Sequence, residues 1–275
     1  MSFKESIRWV IALKPEAKKI IEFYNLELCK KYSTFRVYCN KNKGHWLIIS
    51  GIGGKNVKKS ISYLKEISDV KKWTIWINLG IAGNLDNYGK LFIIDEIKSL
   101  TSDIRYFPNI GIKKNFNRKA LISLESPSDN YSDNYLIDME GYSFFEKTHE
   151  FSNRELIYIL KVVSDDQEHS IENISKEMVY SLISSVNNEI NIIISYLIRI
   201  SKIIFNEEIV NFDFDKLNNK WHFSFSQKVQ MKSLVKRWIV LFPSRDLMKE
   251  VSHFKNSKLI IEYLNTKFEN YEIEW

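Results

Sequence analysis

Glycine is spread so unevenly along this chain that its positions constrain the fold more than any other feature. Of nine glycines in 275 residues, seven lie between Gly44 and Gly89, Gly111 and Gly141 come later, and the last 134 residues have none. Glycine serves where the backbone turns with positive φ or approaches another group closely. Such places belong to the first half. The second half must be built from elements that dispense with glycine, which favours helices. The length suits one domain of roughly 200 residues with an appendage, or two smaller ones. With 44% hydrophobic residues, wholesale disorder is excluded.

Several function classes are set aside early. Cys29 and Cys39 cannot form a disulfide framework, and their spacing fits no zinc or redox motif, so both are read as buried thiols in a reducing compartment. The five histidines, His45, His149, His169, His222 and His253, have no metal-ligand spacing. No metal and no cofactor is expected. The first ten residues, MSFKESIRWV, hold no apolar stretch of signal-peptide length. The apolar stretch Ile190 to Phe205 is interrupted by Asn191, Ser195, Arg199 and Lys202, which makes it a core helix and not a membrane span. A soluble, cytoplasmic protein is expected. The net charge of +6, from 40 basic and 34 acidic residues, is a mild excess that a solvated basic surface accounts for. Lys228, Lys232 and Lys236 are four apart and put positive charge on one helix face within 228–258. A nucleic-acid patch is the alternative there, but no recognised nucleic-acid fold accompanies the charge.

Arg8 to Leu13, Phe35 to Cys39, Trp46 to Ile49, Thr74 to Leu79, Leu91 to Ile94, Ala120 to Leu124, Tyr135 to Ile137 and Leu156 to Val163 read as strands. Helical spacing separates several of them, at Glu16 to Leu28, Val57 to Ile67 and Gly141 to His149. This alternation predicts an α/β fold with a mixed central sheet covered by helices, in three layers. From about Ser170 the texture changes. Ser175 to Ile204 is one long helix or two abutting ones, and Gln227 to Leu241 and Lys258 to Phe268 are helical. Phe212 to Phe225 is ambiguous between a hairpin and a loop. The expected division is an α/β domain at 1–169 and a mostly helical extension at 170–275.

In an open α/β sheet, ligands gather at the carboxyl ends of the strands. The residues just past each apolar run are therefore informative. Glu16 comes after the first. Ser50-Gly51-Ile52-Gly53-Gly54 comes after the third, and Gly80-Ile81-Ala82-Gly83 after TIWINL. Asp138-Met139-Glu140-Gly141 comes after YLI, and Ser164-Asp165-Asp166 after LIYILKVV. An acid after a strand is usually a helix cap or a solvated loop residue. Three carboxylate sites and two glycine turns at one sheet edge suit a sugar or polyol instead. Carboxylates would hold hydroxyls, and spare acids would move protons.

The ordered set ALKPEA, SGIGG, NLGIAGNL, DMEGYSFF and LKVVSD resembles the nucleoside phosphorylase and nucleosidase superfamily over residues 7 to 166. The resemblance is nearest to nucleosidases that hydrolyse methylthioadenosine, S-adenosylhomocysteine or futalosine. It implies roles for the matching residues. Glu16 would activate water, Glu140 would hold the ribose hydroxyls, Met139 would pack against the sugar, and Asp165 would protonate the departing base. Ser164 would orient Asp165. Ser50, Gly51, Gly53, Gly80, Ile81, Ala82 and Gly83 would wall the ribose and the nucleophile site. Tyr142 and Phe144, beside Glu140, are candidate pocket residues. A homodimer is also expected, since the family often completes its site across subunits.

Cleaving an N-glycosidic bond places positive character on the ribose and negative charge on the base, and two carboxyl groups divide that work. Asp165 must then keep its proton near neutral pH, through burial or a neighbouring carboxylate such as Asp166. Phosphorylases of the family carry an arginine before the glycine turn. Here the stretch is Asn78-Leu79-Gly80-Ile81, without a guanidinium to grip phosphate. Water is the expected nucleophile and a small, purine-like nucleoside the expected substrate. The alternatives are phosphorolysis and a non-catalytic descendant that binds a nucleoside or a protein partner. The segment Leu121 to Asn130, where such enzymes recognise the purine, is abbreviated and polar.

Overall fold

The apolar runs of the first half become strands of one mixed sheet, and the residues at their ends are carried to a common edge. The computed structural model describes residues 3–100, 102–108, 110–112, 116–242 and 245–269, apart from the side chains of 209–212. Two compact units divide the chain, Met1–Lys202 and Ile203–Trp275.

In the first unit the strands are β1 (Ile7–Ile11), β2 (Glu27–Leu28), β3 (Arg36–Asn40), β4 (His45–Ile49), β5 (Ile75–Gly83), β6 (Leu91–Ser99), β7 (Ser102–Tyr106), β8 (Asn117–Ser123), β9 (Tyr135–Asp138) and β10 (Ile157–Asp165). Helix α1 (Lys14–Phe23) follows β1, α2 (Gly54–Ile67) follows β4, and α3 (Gly141–Thr148) follows β9. β1 lies parallel to both β4 and β5, and β10 lies parallel to β5. Every residue of β1 and of β10 is buried, as a parallel strand covered on both faces requires. Beyond β5 the sheet curls. β5 pairs β9, β9 pairs β8, β8 pairs β6, β6 pairs β10, and β10 returns to β5. β9 meets β5 where both strands end, Gly83 opposite Ile137. The loops after β1, β4, β5, β9 and β10 therefore converge.

Two departures from the expected pattern have physical causes. The glycines of Gly80-Ile81-Ala82-Gly83 are not in a turn after the strand; they are its last residues. Their φ angles are not positive, so they serve close packing against neighbouring side chains. Gly51 and Gly53 do adopt positive φ, at 78° and 92°, in the turn before α2. Second, the compact unit runs past the change of texture at 169/170. Helix α4 (Lys176–Ser185) and the first turns of α5 (Asn187–Lys220) bury Val179, Ile183, Ile190, Ile193 and Leu197. Tyr180 donates to Glu22 and Tyr24 to Asn191, both at 2.8 Å, which ties these helices to α1. Each fully buried aliphatic side chain contributes roughly 1.5–3 kcal/mol.

The second unit holds the rest of α5 with α6 (Phe225–Leu241), α7 (Leu247–Val251) and α8 (Ser257–Glu269). Its core gathers Leu217, Phe223, Met231, Val235, Trp238, Ile260, Leu264 and Phe268. The ambiguous stretch before Phe225 is not a hairpin. α5 continues to Lys220, and Ser224 with Gln227 forms a capping box that starts α6. The basic residues of α6 are partly engaged within this unit. Lys236 pairs with Glu207 at 2.6 Å, and Lys232 lies 5.3 Å from the centre of the Phe214 ring. Among the described residues no helix is long and apolar enough to cross a membrane.

Candidate active site

Glu16 is fixed by local sequence. Pro15 sits in the first turn of α1, and Glu16 is the third helical residue, so its carboxylate can fold back on the helix start. One oxygen accepts the Leu13 N–H at 2.8 Å, and the other accepts the Ile81 N–H at 3.0 Å. Burial pushes its pKa above the ordinary carboxylate range, against the opposing charge of Lys161 and these two N–H donors.

Lys161 interrupts the apolar run of β10, and a buried ammonium in a covered strand must find carboxylates. Its Nζ lies 2.8 Å from Asp138, with both side chains 1% exposed. Lys161 stands opposite Gly80 in the β5–β10 pairing. A Cβ on Gly80 would come within 2.9 Å of the Glu16 carboxylate and 3.2 Å of Lys161 Nζ. This is why glycine is needed inside a strand here. Burial lowers the Lys161 pKa, yet the charges of Asp138, Glu140 and Glu16 raise it overall, so the group stays an ammonium.

Asp138 also accepts the Gly141 N–H at 2.8 Å and a hydrogen bond from the Ser123 hydroxyl. Glu140 accepts the Gly53 N–H at 2.7 Å, which joins the DMEG segment to the SGIGG turn. Burial first, and the charge of Asp138 second, push the Glu140 pKa up to about 7, against Lys161 and the Gly53 N–H.

Asp165 ends β10 in a different setting. The Tyr131 hydroxyl donates to Oδ2 at 2.9 Å and the Ser164 hydroxyl donates to Oδ1. Burial raises the Asp165 pKa, and these two donors oppose it. Asp166 holds the turn that follows β10. It accepts the N–H groups of Glu168 and His169, both at 2.9 Å, and pairs with the His169 ring at 2.8 Å. His169 in turn stacks on Tyr88 with ring centres 3.9 Å apart.

Glu16, Glu140 and Asp165 open on one cleft of about 300 Å³. Ile81, Ala82, Gly83, Met139 and Ser164, all expected from the sequence, also line it, with Leu13, Ile52, Ile171 and Ile174 adding apolar surface. Ser126, Pro127 and Ser128 supply one wall, from a segment that in sequence is abbreviated and polar. Six expected residues stand apart from this wall. Gly80 packs behind Glu16, and Gly53 acts through its N–H to Glu140. Ser50 is buried and donates to the Gly51 carbonyl at 2.9 Å, so Ser50 and Gly51 shape the turn. Tyr142 lines a neighbouring cavity of about 630 Å³ and bonds Ser102 at 2.8 Å, while Phe144 is wholly buried in the core.

Sequence reasoning missed Lys161, Asp138 as an ion-pair partner, and Tyr131. The first carried a signal, since a lone charge amid LIYILKVV has to be neutralised once the strand is buried. Tyr131 carried none, because only the fold brings it to Asp165.

No protein-family model matches the sequence, and no curated protein matches it in sequence. Solved structures do match in fold. A methylthioadenosine/S-adenosylhomocysteine nucleosidase from Helicobacter pylori, with a thio-Immucillin ligand, is similar at TM-score 0.55 and 13% identity, over 69% of this chain and 99% of that one. An aspartate-to-asparagine form of the Chlamydia trachomatis enzyme bound to methylthioadenosine is similar at 0.54 and 20%, over 70% and 99%. The Neisseria meningitidis nucleosidase with methylthio-Immucillin-A is similar at 0.50 and 18%, over 66% and 99%. About two thirds of this chain therefore shares the α/β fold of these solved nucleosidases.

Proposed function

We propose that this protein hydrolyses the N-glycosidic bond of a small nucleoside, with a purine as the expected base and water as the nucleophile. The observation that carries the proposal is the convergence of Glu16, Glu140 and Asp165 on one cleft. Carboxylates scattered over different faces would have excluded it.

Each group is suited to its part. Burial raises the Glu16 pKa against the charge of Lys161, so that in its ionised form Glu16 is a stronger base than an ordinary carboxylate. It takes a proton from the attacking water. In this reading Glu140 and Met139, which line the cleft, hold the ribose, the carboxyl group accepting hydrogen bonds from its hydroxyls and the thioether covering the ring. Asp165 has no cation of its own among the groups that shift it, and burial favours its neutral form. It delivers a proton to the base nitrogen as the C1′–N bond breaks and the water oxygen bonds to C1′. The charge of Lys161 also steadies carboxylates that face the positive ribose of the transition state. Water as nucleophile is supported by the stretch from Asn78 to Gly83, which lacks a guanidinium, and by the engagement of Lys161 with Asp138.

A panel of nucleosides, incubated with and without phosphate, tests the reading. Free base without phosphate is the expected result. A phosphate requirement would replace hydrolysis by phosphorolysis. Binding without release would leave a non-catalytic nucleoside receptor.

A further inference from the structure

Asp165 is held from behind by a residue that does not line the cleft. Tyr131 reaches Asp165 Oδ2 at 2.9 Å, with its ring over Gly83. A Cβ on Gly83 would lie 2.6 Å from that oxygen and 2.7 Å from the Tyr131 ring, so the glycine makes room for the pair. The segment carrying Tyr131 is pinned beside it. Asn84 donates to the carbonyls of Ser132 and Tyr135 at 2.6 and 3.0 Å. A short way upstream in the same segment, Ser126 to Ser128 form the cleft wall.

From this geometry we infer that Tyr131 is a positioning residue that fixes the orientation and proton affinity of Asp165. The inference rests on the nucleosidase reading for its catalytic consequence, but the link between the two side chains does not. A hydroxyl donating to a carboxyl oxygen favours the ionised form. It lets the aspartate release its proton to a departing base and stabilises the carboxylate that remains. The other groups facing Asp165 are the Ser164 hydroxyl and, more weakly, the charge of Asp166.

Tyr131→Phe keeps the ring over Gly83 and removes only the hydroxyl. Carbon-13 NMR of labelled aspartate carboxyls, with Asp165→Asn for assignment, should show the Asp165 pKa rising by about one unit. Asp165 works protonated, so the alkaline limb of kcat/KM should move up by the same amount, while circular dichroism stays unchanged. An unmoved or lowered Asp165 pKa overturns the inference. A raised pKa with an unmoved alkaline limb also overturns it, since the link would then have no part in turnover. Gly83→Ala, which crowds the pair, gives a second test and should disturb the same titration; an undisturbed titration counts against the inference. If the native protein releases no base, the nucleosidase reading fails, whereas the NMR titration still decides the Tyr131–Asp165 link.

Discussion

The two ends of the cleft hold their carboxyl groups by opposite means. At one end Glu16, Asp138 and Glu140 surround a buried ammonium, and backbone N–H groups from Leu13, Ile81, Gly53 and Gly141 complete their shells. At the other, Asp165 meets two hydroxyls, and no cation among the described residues contributes to its shift. Burial raises the pKa values of Glu16, Glu140 and Asp165; a buried cation opposes it at the first end, and two hydroxyl donors oppose it at the second. On the proposed function, these two settings are what would separate the base Glu16 from the acid Asp165.

The comparison is most severely tested by removing the cation. Lys161→Met leaves three buried carboxyls without their counter-charge, and loss of one partner of a buried pair costs about 3–5 kcal/mol. Denaturant unfolding should show that loss at pH 8 and less of it at pH 5. The sign comes from linkage. Without Lys161 the Glu16 and Glu140 pKa values, already raised by burial, rise further above their unfolded values, so stability is retained at low pH and lost as pH climbs through the folded values. An equal loss at both pH values would mean that Lys161 serves packing alone.

Next in size are the proton-transfer groups. Glu16→Gln and Asp165→Asn should each lower base release by about 10²–10⁴-fold without loss of fold. Retained activity in both would refute the assignment of roles. Their pH profiles should differ in sign. On the proposed roles the acid limb of the native protein should report Glu16 and the alkaline limb Asp165. Both should lie above ordinary carboxylate values, because burial raises both groups. Glu140→Gln should act mainly on KM, with a loss of about 1.5–3 kcal/mol of binding, the worth of hydrogen bonds to a charged group. A change confined to kcat would move Glu140 from holding the sugar to the chemistry. The smallest effect should come from Ser164→Ala, which removes one donor from Asp165. It should raise the alkaline limb by about one pH unit or less, in the same direction as Tyr131→Phe. A downward shift would show that Ser164 favours the protonated form.

Much of this arrangement is legible in the sequence. Glu16, Met139, Glu140, Ser164 and Asp165 each come just after an apolar run or at its end; parallel pairing of β1, β5 and β10 brings the first and the last two to one edge, and β9 meets the end of β5 there in antiparallel sense. The SGIGG turn is legible too, since positive φ at Gly51 and Gly53 has few solutions other than glycine. Gly80 and Gly83 are found by type and misplaced by structure. A glycine spared for packing looks the same in sequence as one spared for turning. The helical half is legible as helices but not as units, because periodicity shows that α4 has an apolar face without showing what covers it.

The sequence by itself determined the alternation of strands and helices, the identity of the acids at the strand ends and the helical character of the last third. These depend on local periodicity and on chemistry confined to a few neighbouring residues. Only the tertiary structure decided that Lys161 neutralises Asp138, that Gly80 admits the cluster, and that Tyr131 reaches Asp165 across 34 positions of chain. Partners so far apart in sequence leave no periodic trace. Their pairing is set by burial, which makes an unpaired charge too costly to keep.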